Sequence, residues 1–248
     1  MDLGLTGKVA LVTGASRGLG FAAAKALADE GCRVAICGRD KARIMDAAAV
    51  IGAHPVVADM SALDGPDRAV TEAAAALGPV DILVANAGGP TPGGFMDVSD
   101  ADWERAVQQN LMGTVRLMRA VVPSMRDRGW GRIITITSRT VREAIDGLVL
   151  SNATRAGVAG AVRTLAREVA RDGVTVNNVL PGSFATERLV ELYGSQEAVA
   201  ARGTSSPMGR IGDPGEIGAV IAFLASRQAS YVTGTSILVD GGESHVIA

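Results

Sequence analysis

The stretch "TGASRGLG", residues 13–20, decides how the rest of the chain is read. It follows the apolar run "KVALVT" and opens the alanine-rich segment "FAAAKALADE", so it is a glycine turn between a strand and a helix. In such a turn Gly14 permits the tight bend, Gly18 lets backbone approach a pyrophosphate, and Gly20 allows close helix packing. The amino end of the helix that follows favours negative charge, because its first amides are unpaired. A glycine turn alone is a weak signal, since turns before helices often carry glycine.

Outward from this turn, short apolar runs alternate with longer amphipathic segments. "KVALVT", "RVAIC", "PVVA", "VDILVANAG", "GRIITITS", "VTVNNVLPG" and "SILVDGG" are short and mostly rich in β-branched residues, as strands are. Helical patterns cover 18–30, 41–50, 66–77, 101–126, 151–171 and 214–226. The alternation predicts an α/β chain: a doubly wound Rossmann-type fold with a parallel seven-stranded sheet and helices on both faces. Residues 1–248 are expected to form one nucleotide-binding domain, with ligands at the carboxyl ends of the strands.

Composition narrows the function classes. A net charge of -2, a pI near 5.8 and 3% aromatic residues offer neither the basic surface nor the stacking platforms of a nucleic-acid binder. No apolar run approaches the ~20 residues a membrane span needs, and no charged-then-apolar segment precedes Gly7, so the expectation is a soluble, cytoplasmic chain. Cys32 and Cys37 lie close together on one strand and read as small buried hydrophobes; His54 and His245 are far apart, so no metal site is expected. Lysine occurs only at Lys8, Lys25 and Lys41, leaving the remaining basic positions to arginine.

The spacing T-G-x-x-x-G-x-G resembles that of the short-chain dehydrogenase/reductase family. The resemblance extends over nearly the whole chain: "NAG" at 86–88, Asn110 within "QQNLMG", "GRIITITS" ending at Ser138, "PGSFAT" at 181–186, and "YVTGTSILVDGG" near the carboxyl end. Within the family it is most similar to bacterial 3-oxoacyl-acyl-carrier-protein reductases. The resemblance places a nicotinamide nucleotide against Gly14, Ser16, Arg17, Gly18, Leu19, Gly20, Arg39, Asp59, Met60, Asn86, Ala87, Gly88, Pro181, Gly182 and Thr186. It also makes 186–208 a lid over the substrate.

An NAD enzyme places an acid after the second strand to hold the ribose, whereas an NADP enzyme supplies arginine for the 2'-phosphate. In "CRVAICGRD" the acidic slot falls on Gly38 and the next residue is Arg39; with Arg17 in the glycine turn, this indicates NADP(H) over NAD(H). A register shifted by two would instead hand the ribose Asp40. By resemblance Asp59 faces the adenine; on its own it reads as a helix or turn cap.

The family's reacting end consists of a serine after the fifth strand, a tyrosine thirteen residues on, a lysine four further, and an upstream asparagine. Ser138 and Asn110 match, but the other two positions hold Ser151 and Arg155. Residues i and i+4 share one helix face, so the geometry is retained while both functional groups differ. A phenol near pKa ~10 can be tuned toward neutrality, an alkyl hydroxyl starts far higher, and a guanidinium keeps its proton. Replacement acids are Tyr193, in the lid, and Glu143 or Asp146, between Ser138 and Ser151; Tyr231 is better read as a core or interface residue. Arg155, with Arg139 and Arg142 nearby, is expected to touch the ribose or an anionic substrate.

Three functions are compatible with this pattern. The first is an NADP(H)-dependent oxidoreductase acting on a carbonyl or hydroxyl group of a small molecule, with an atypical site. The second is an NADPH-binding protein without redox turnover, and the third a non-redox enzyme in the same cleft. The resemblance also implies a homodimer or homotetramer, through the helices at 101–126 and 151–171 and the last strand, with Trp103 near an interface.

Overall fold

The computed structural model describes residues 2–246. In chain order the elements are β1 (Val9–Thr13), α1 (Gly18–Asp29), β2 (Arg33–Gly38), α2 (Lys41–Ile51), β3 (His54–Val57), α3 (Gly65–Leu77) and β4 (Ile82–Asn86). They continue with α4 (Asp100–Ala106), α5 (Gly113–Asp127), β5 (Gly131–Ile136), α6 (Val149–Val169), β6 (Val174–Pro181), α7 (Glu187–Tyr193), α8 (Gln196–Ser205), α9 (Pro214–Ala225) and β7 (Ser236–Val239). The seven strands form one sheet in the order β3-β2-β1-β4-β5-β6-β7, every pair parallel. This is the doubly wound α/β fold that the alternating runs predict.

The strand sequences explain the layering. All residues of β1 and β5 are buried, because helices cover both faces and leave no polar side to alternate with. One core holds Val12, Ile36, Val84 and Ile134 against α1, α2 and α9; the other holds Leu11, Leu83, Ile133 and Val176 against α3, α5 and α6. Each such side chain contributes roughly 1.5–3 kcal/mol on burial. Asn178 of β6 is buried and paired, its Oδ1 accepting from the hydroxyls of Thr135 (2.8 Å) and Thr137 (2.7 Å), whereas Thr175 Oγ1 of the same strand is buried without a partner among the described residues.

One expectation is corrected. The helix expected at 101–126 is divided: α4 passes into a π-helical turn, Val107–Met112, before α5. Its cause is visible in the side-chain bonding, because Asn110 turns inward to donate to Gly88 O (2.7 Å). The segment expected to form the lid, 186–208, contains two capped helices, α7 and α8. Among the described residues no helix is long and apolar enough to cross a membrane.

In this strand order β1 lies between β2 and β4, and the chain reverses its winding there. The crevice of such a sheet opens outside the carboxyl ends of the strands at that point.

Candidate active site

The glycine turn is braced from β4. Thr13 Oγ1 donates to Asn86 O (2.8 Å) and accepts from Asn86 N (3.0 Å), while Asn86 Nδ2 donates to Gly14 O (3.0 Å). Gly20 permits the fold-back, since a Cβ there would collide with Gly14 O. Gly14 and Gly18 take φ of 57° and 60°, the left-handed region that favours glycine. Helix α1 starts with no side-chain cap and no acid in its first turn, so its leading amides are open to an anion.

A cleft of about 780 Å³ runs from this turn across the strand ends. Gly14, Ser16, Arg17, Gly18, Leu19, Arg39, Asp59, Met60, Asn86, Ala87, Gly88, Pro181, Gly182 and Thr186 all line it. Gly20 does not, and instead packs behind the turn.

At the β2 end Arg39 and Asp40 both line the cleft, and Asp40 is also a helix cap. The Asp40 carboxylate accepts from Arg43 N (3.1 Å) and starts α2, so Arg39 is the first residue beyond the strand. Arg43 also lines the cleft, a position the sequence reading missed although it is in the first turn after the cap. Asp59 is occupied by Ser61, accepting from its N (2.9 Å) and Oγ (2.8 Å), the turn role it has on its own. Arg17 is turned onto the lid, where it pairs with Glu187 and, at 3.5 Å, with Glu191.

The other end of the cleft brings together Ser138, Ser151 and Arg155. Ser138 follows β5 and caps a short 3-10 turn, accepting from Thr140 N at 3.2 Å. Ser151 lies in the first turn of α6, its hydroxyl 3.2 Å from that of Thr140. Arg155, one turn later, is 5% exposed rather than a surface residue. Its Nη1 donates to Ile136 O and its Nη2 to Ala87 O, both at 3.1 Å, so it staples the carboxyl ends of β5 and β4. Burial, with the charge of Arg188 adding to it, pulls its pKa down to about 10.

Asn110 does not line the cleft; it supports the Gly88 backbone from behind, and its Oδ1 is buried without a partner among the described residues. The replacement acids are not in the cleft. Tyr193 is 42% exposed, Asp146 is exposed, and Glu143 pairs with Arg139. Tyr231 is fully exposed, which removes the core alternative.

Two further residues matter that the sequence reading passed over. Arg188, from α7, donates through Nη2 to Pro90 O (2.7 Å) and so crosses the mouth of the cleft. Glu243 is buried near the carboxyl end, accepting from Ser183 Oγ (3.0 Å) and pairing with Arg202 of α8 (2.9 Å) and Arg139 (3.5 Å). The only signals for them were an arginine next to the lid's cap and an acid after a glycine pair.

A glycine turn opening an uncapped helix, at the switch point of a parallel sheet and beside a serine-bearing strand end, defines a nucleotide-binding oxidoreductase. The chain belongs to the short-chain dehydrogenase/reductase family, with residues 14–244 matching the family model described as Enoyl-(Acyl carrier protein) reductase. It is 38% identical to Nodulation protein G of Azospirillum brasilense, over 95% of this chain and 97% of that one. It is 36% identical to the 3-oxoacyl-acyl-carrier-protein reductase of Vibrio cholerae, over 97% and 98%. Among solved structures it is similar to L-sorbose reductase from Gluconobacter frateurii, complexed with NADPH and L-sorbose, with a TM-score of 0.93, 32% identity and 100% of both chains covered.

Proposed function

We propose that the chain is an NADP(H)-dependent carbonyl reductase of small molecules in which water, not a tyrosine, is the proton source. The observation that carries this reading is the convergence of Ser138, Ser151 and Arg155 in the same cleft as the glycine turn. The residues fit the nucleotide. The open amides of α1 and the missing Cβ of Gly18 suit a pyrophosphate, and Arg39 and Arg43 line the cleft at the β2 end, where they suit a 2'-phosphate. The relatives named above, a 3-oxoacyl reductase and an NADPH-bound sugar reductase, support both the cofactor and the reaction class.

When bound, the reduced nicotinamide supplies a hydride. The chain's own residues position and stabilise: the Ser138 hydroxyl donates to the substrate carbonyl oxygen, and the Ser151 hydroxyl, linked to Thr140, lies beside it. Arg155 provides a fixed positive charge in a desolvated place, which favours the negative charge that develops on that oxygen. Water then protonates the alkoxide, because among the described residues no phenol, imidazole or ammonium lines the cleft. General acid assistance is worth typically ~10² to 10⁴ in rate, so turnover is slow rather than absent. Asn110 acts through Gly88, as a positioning residue.

A second reading, NADPH binding without turnover, is favoured by that same lack of a phenol, imidazole or ammonium in the cleft. Titration with NADPH and NADH, followed by NADPH oxidation across a panel of ketones, separates the two. Micromolar binding of NADPH with weaker NADH, and oxidation that falls at least tenfold in Ser138→Ala, is the result expected. Binding with no oxidation of any ketone, unchanged in Ser138→Ala, establishes the second reading instead.

A further inference from the structure

Arg155 is a buried cation with no carboxylate beside it. The groups it bonds, Ile136 O and Ala87 O, are neutral carbonyls, its Nε has no partner among the described residues, and the charge that adds to its lowered pKa is another arginine. A guanidinium taken out of water without a counter-charge is costly. The second arginine, Arg188, reaches the same cleft from α7. Its guanidinium lies against Gly89, where a Cβ would be 2.8 Å from Nε and 3.0 Å from Nη2, so this glycine is what admits it. Arg188 has one weak acidic partner, Glu191 at 3.3 Å, and Glu191 is exposed and shared with Arg17.

Two guanidinium groups therefore line the same cleft as Ser138, and the exposed Glu191 is the one carboxylate that pairs with either of them among the described residues. The oxygen of a carbonyl under reduction is negative only transiently, so it does not balance them in the resting complex. We propose that the cleft takes a carbonyl compound carrying its own carboxylate, an oxo acid, whose carboxylate is held by Arg188 with Arg155 behind it. Forked donors suit a carboxylate, and Nη1 of Arg188 is free to exchange Glu191 for it. This inference rests on the carbonyl-reductase reading for its chemistry but not for the anion seat.

The test compares 2-, 3- and 4-oxo acids with their methyl esters in NADPH oxidation, and measures binding of the matching redox-inert hydroxy acids by calorimetry. The wild type is expected to favour acid over ester at least tenfold in kcat/KM, and Arg188→Gln to reduce that ratio at least tenfold while Arg188→Lys retains part of it. Circular dichroism confirms that both variants fold. Esters reduced as well as acids, or an acid-to-ester ratio unmoved by Arg188→Gln, overturn the proposal and leave the reductase reading standing. Hydroxy-acid binding lost in Arg188→Gln, without oxidation of any ketone, upholds the anion seat and overturns the reductase reading. Neither binding nor oxidation overturns both.

Discussion

Arg155 occupies a position where stability and function pull apart. Burial lowers its pKa only to about 10, so the guanidinium is charged and its burial penalty is present throughout the neutral range. Replacement by an apolar group of similar length, Arg155→Met, is expected to leave the melting temperature unchanged or raise it, on the order of 1–2 kcal/mol, while NADPH oxidation is lost. A lowered melting temperature would show that the staple to Ile136 and Ala87 outweighs desolvation. Gly20 works in the opposite direction. Gly20→Ala forces a Cβ into Gly14 O, which is backbone and cannot swing away, so both the turn and the helix start must shift. Thermal unfolding should show a loss of about 1–3 kcal/mol, and NADPH affinity should fall at least tenfold. Both positions were legible in the sequence, Gly20 from its spacing and Arg155 from the family resemblance, which gives meaning to its offset from Ser138. The burial of Arg155 and its two carbonyl partners were not, because they depend on how β4 and β5 end beside each other.

At the scale of elements, helix α7 is tied to the rest of the cleft at both sides. Arg17 holds it to the glycine turn through Glu187 and Glu191, and Arg188 holds it to the loop after β4. An arginine engaged by lid carboxylates has to leave them to meet a phosphate. Removing those carboxylates, in Glu187→Gln with Glu191→Gln, is therefore expected to tighten NADPH binding several-fold with little effect on NADH, as read by fluorescence titration. Equal changes for both nucleotides would mean that Arg17 stays on the lid. The helices α1, α2, α3, α6 and α9 follow from periodicity and alanine content within a few residues. The π turn before α5 does not, since it depends on Asn110 reaching a backbone carbonyl 22 positions earlier in the chain. The lid helices escape for a related reason: they are short and lean on tertiary contacts, with Thr186 and Ser195 as their caps.

For the molecule as a whole, the two edges of the sheet differ. The β3 edge contains Pro55, which removes a donor and blunts pairing. The β7 edge has no such guard: its four residues are only half-buried, and Tyr231, a few residues ahead of it in the chain, is exposed. Association through this edge, as in the homodimer or homotetramer implied by the family resemblance, would cover that ring. Light scattering is expected to give a mass above the 25.3 kDa of one chain, and Tyr231→Glu to lower it. A monomer mass for the unaltered chain would sink that assignment.

The amino-acid sequence by itself determined the strand and helix alternation, the parallel sheet and the glycine turn, and its resemblance to the family singled out Ser138, Ser151 and Arg155. The first three are local or evenly spaced signals, carried by hydrophobic periodicity and glycine placement. Only the tertiary structure decided that Arg155 is buried without a counter-charge among the described residues, that Arg17 rests on glutamates of α7, that Asp40 caps α2, and that Arg188 reaches the cleft over Gly89. Each of these joins residues from separate elements, and whether a charge is paired, buried or free is a property of what the fold places around it.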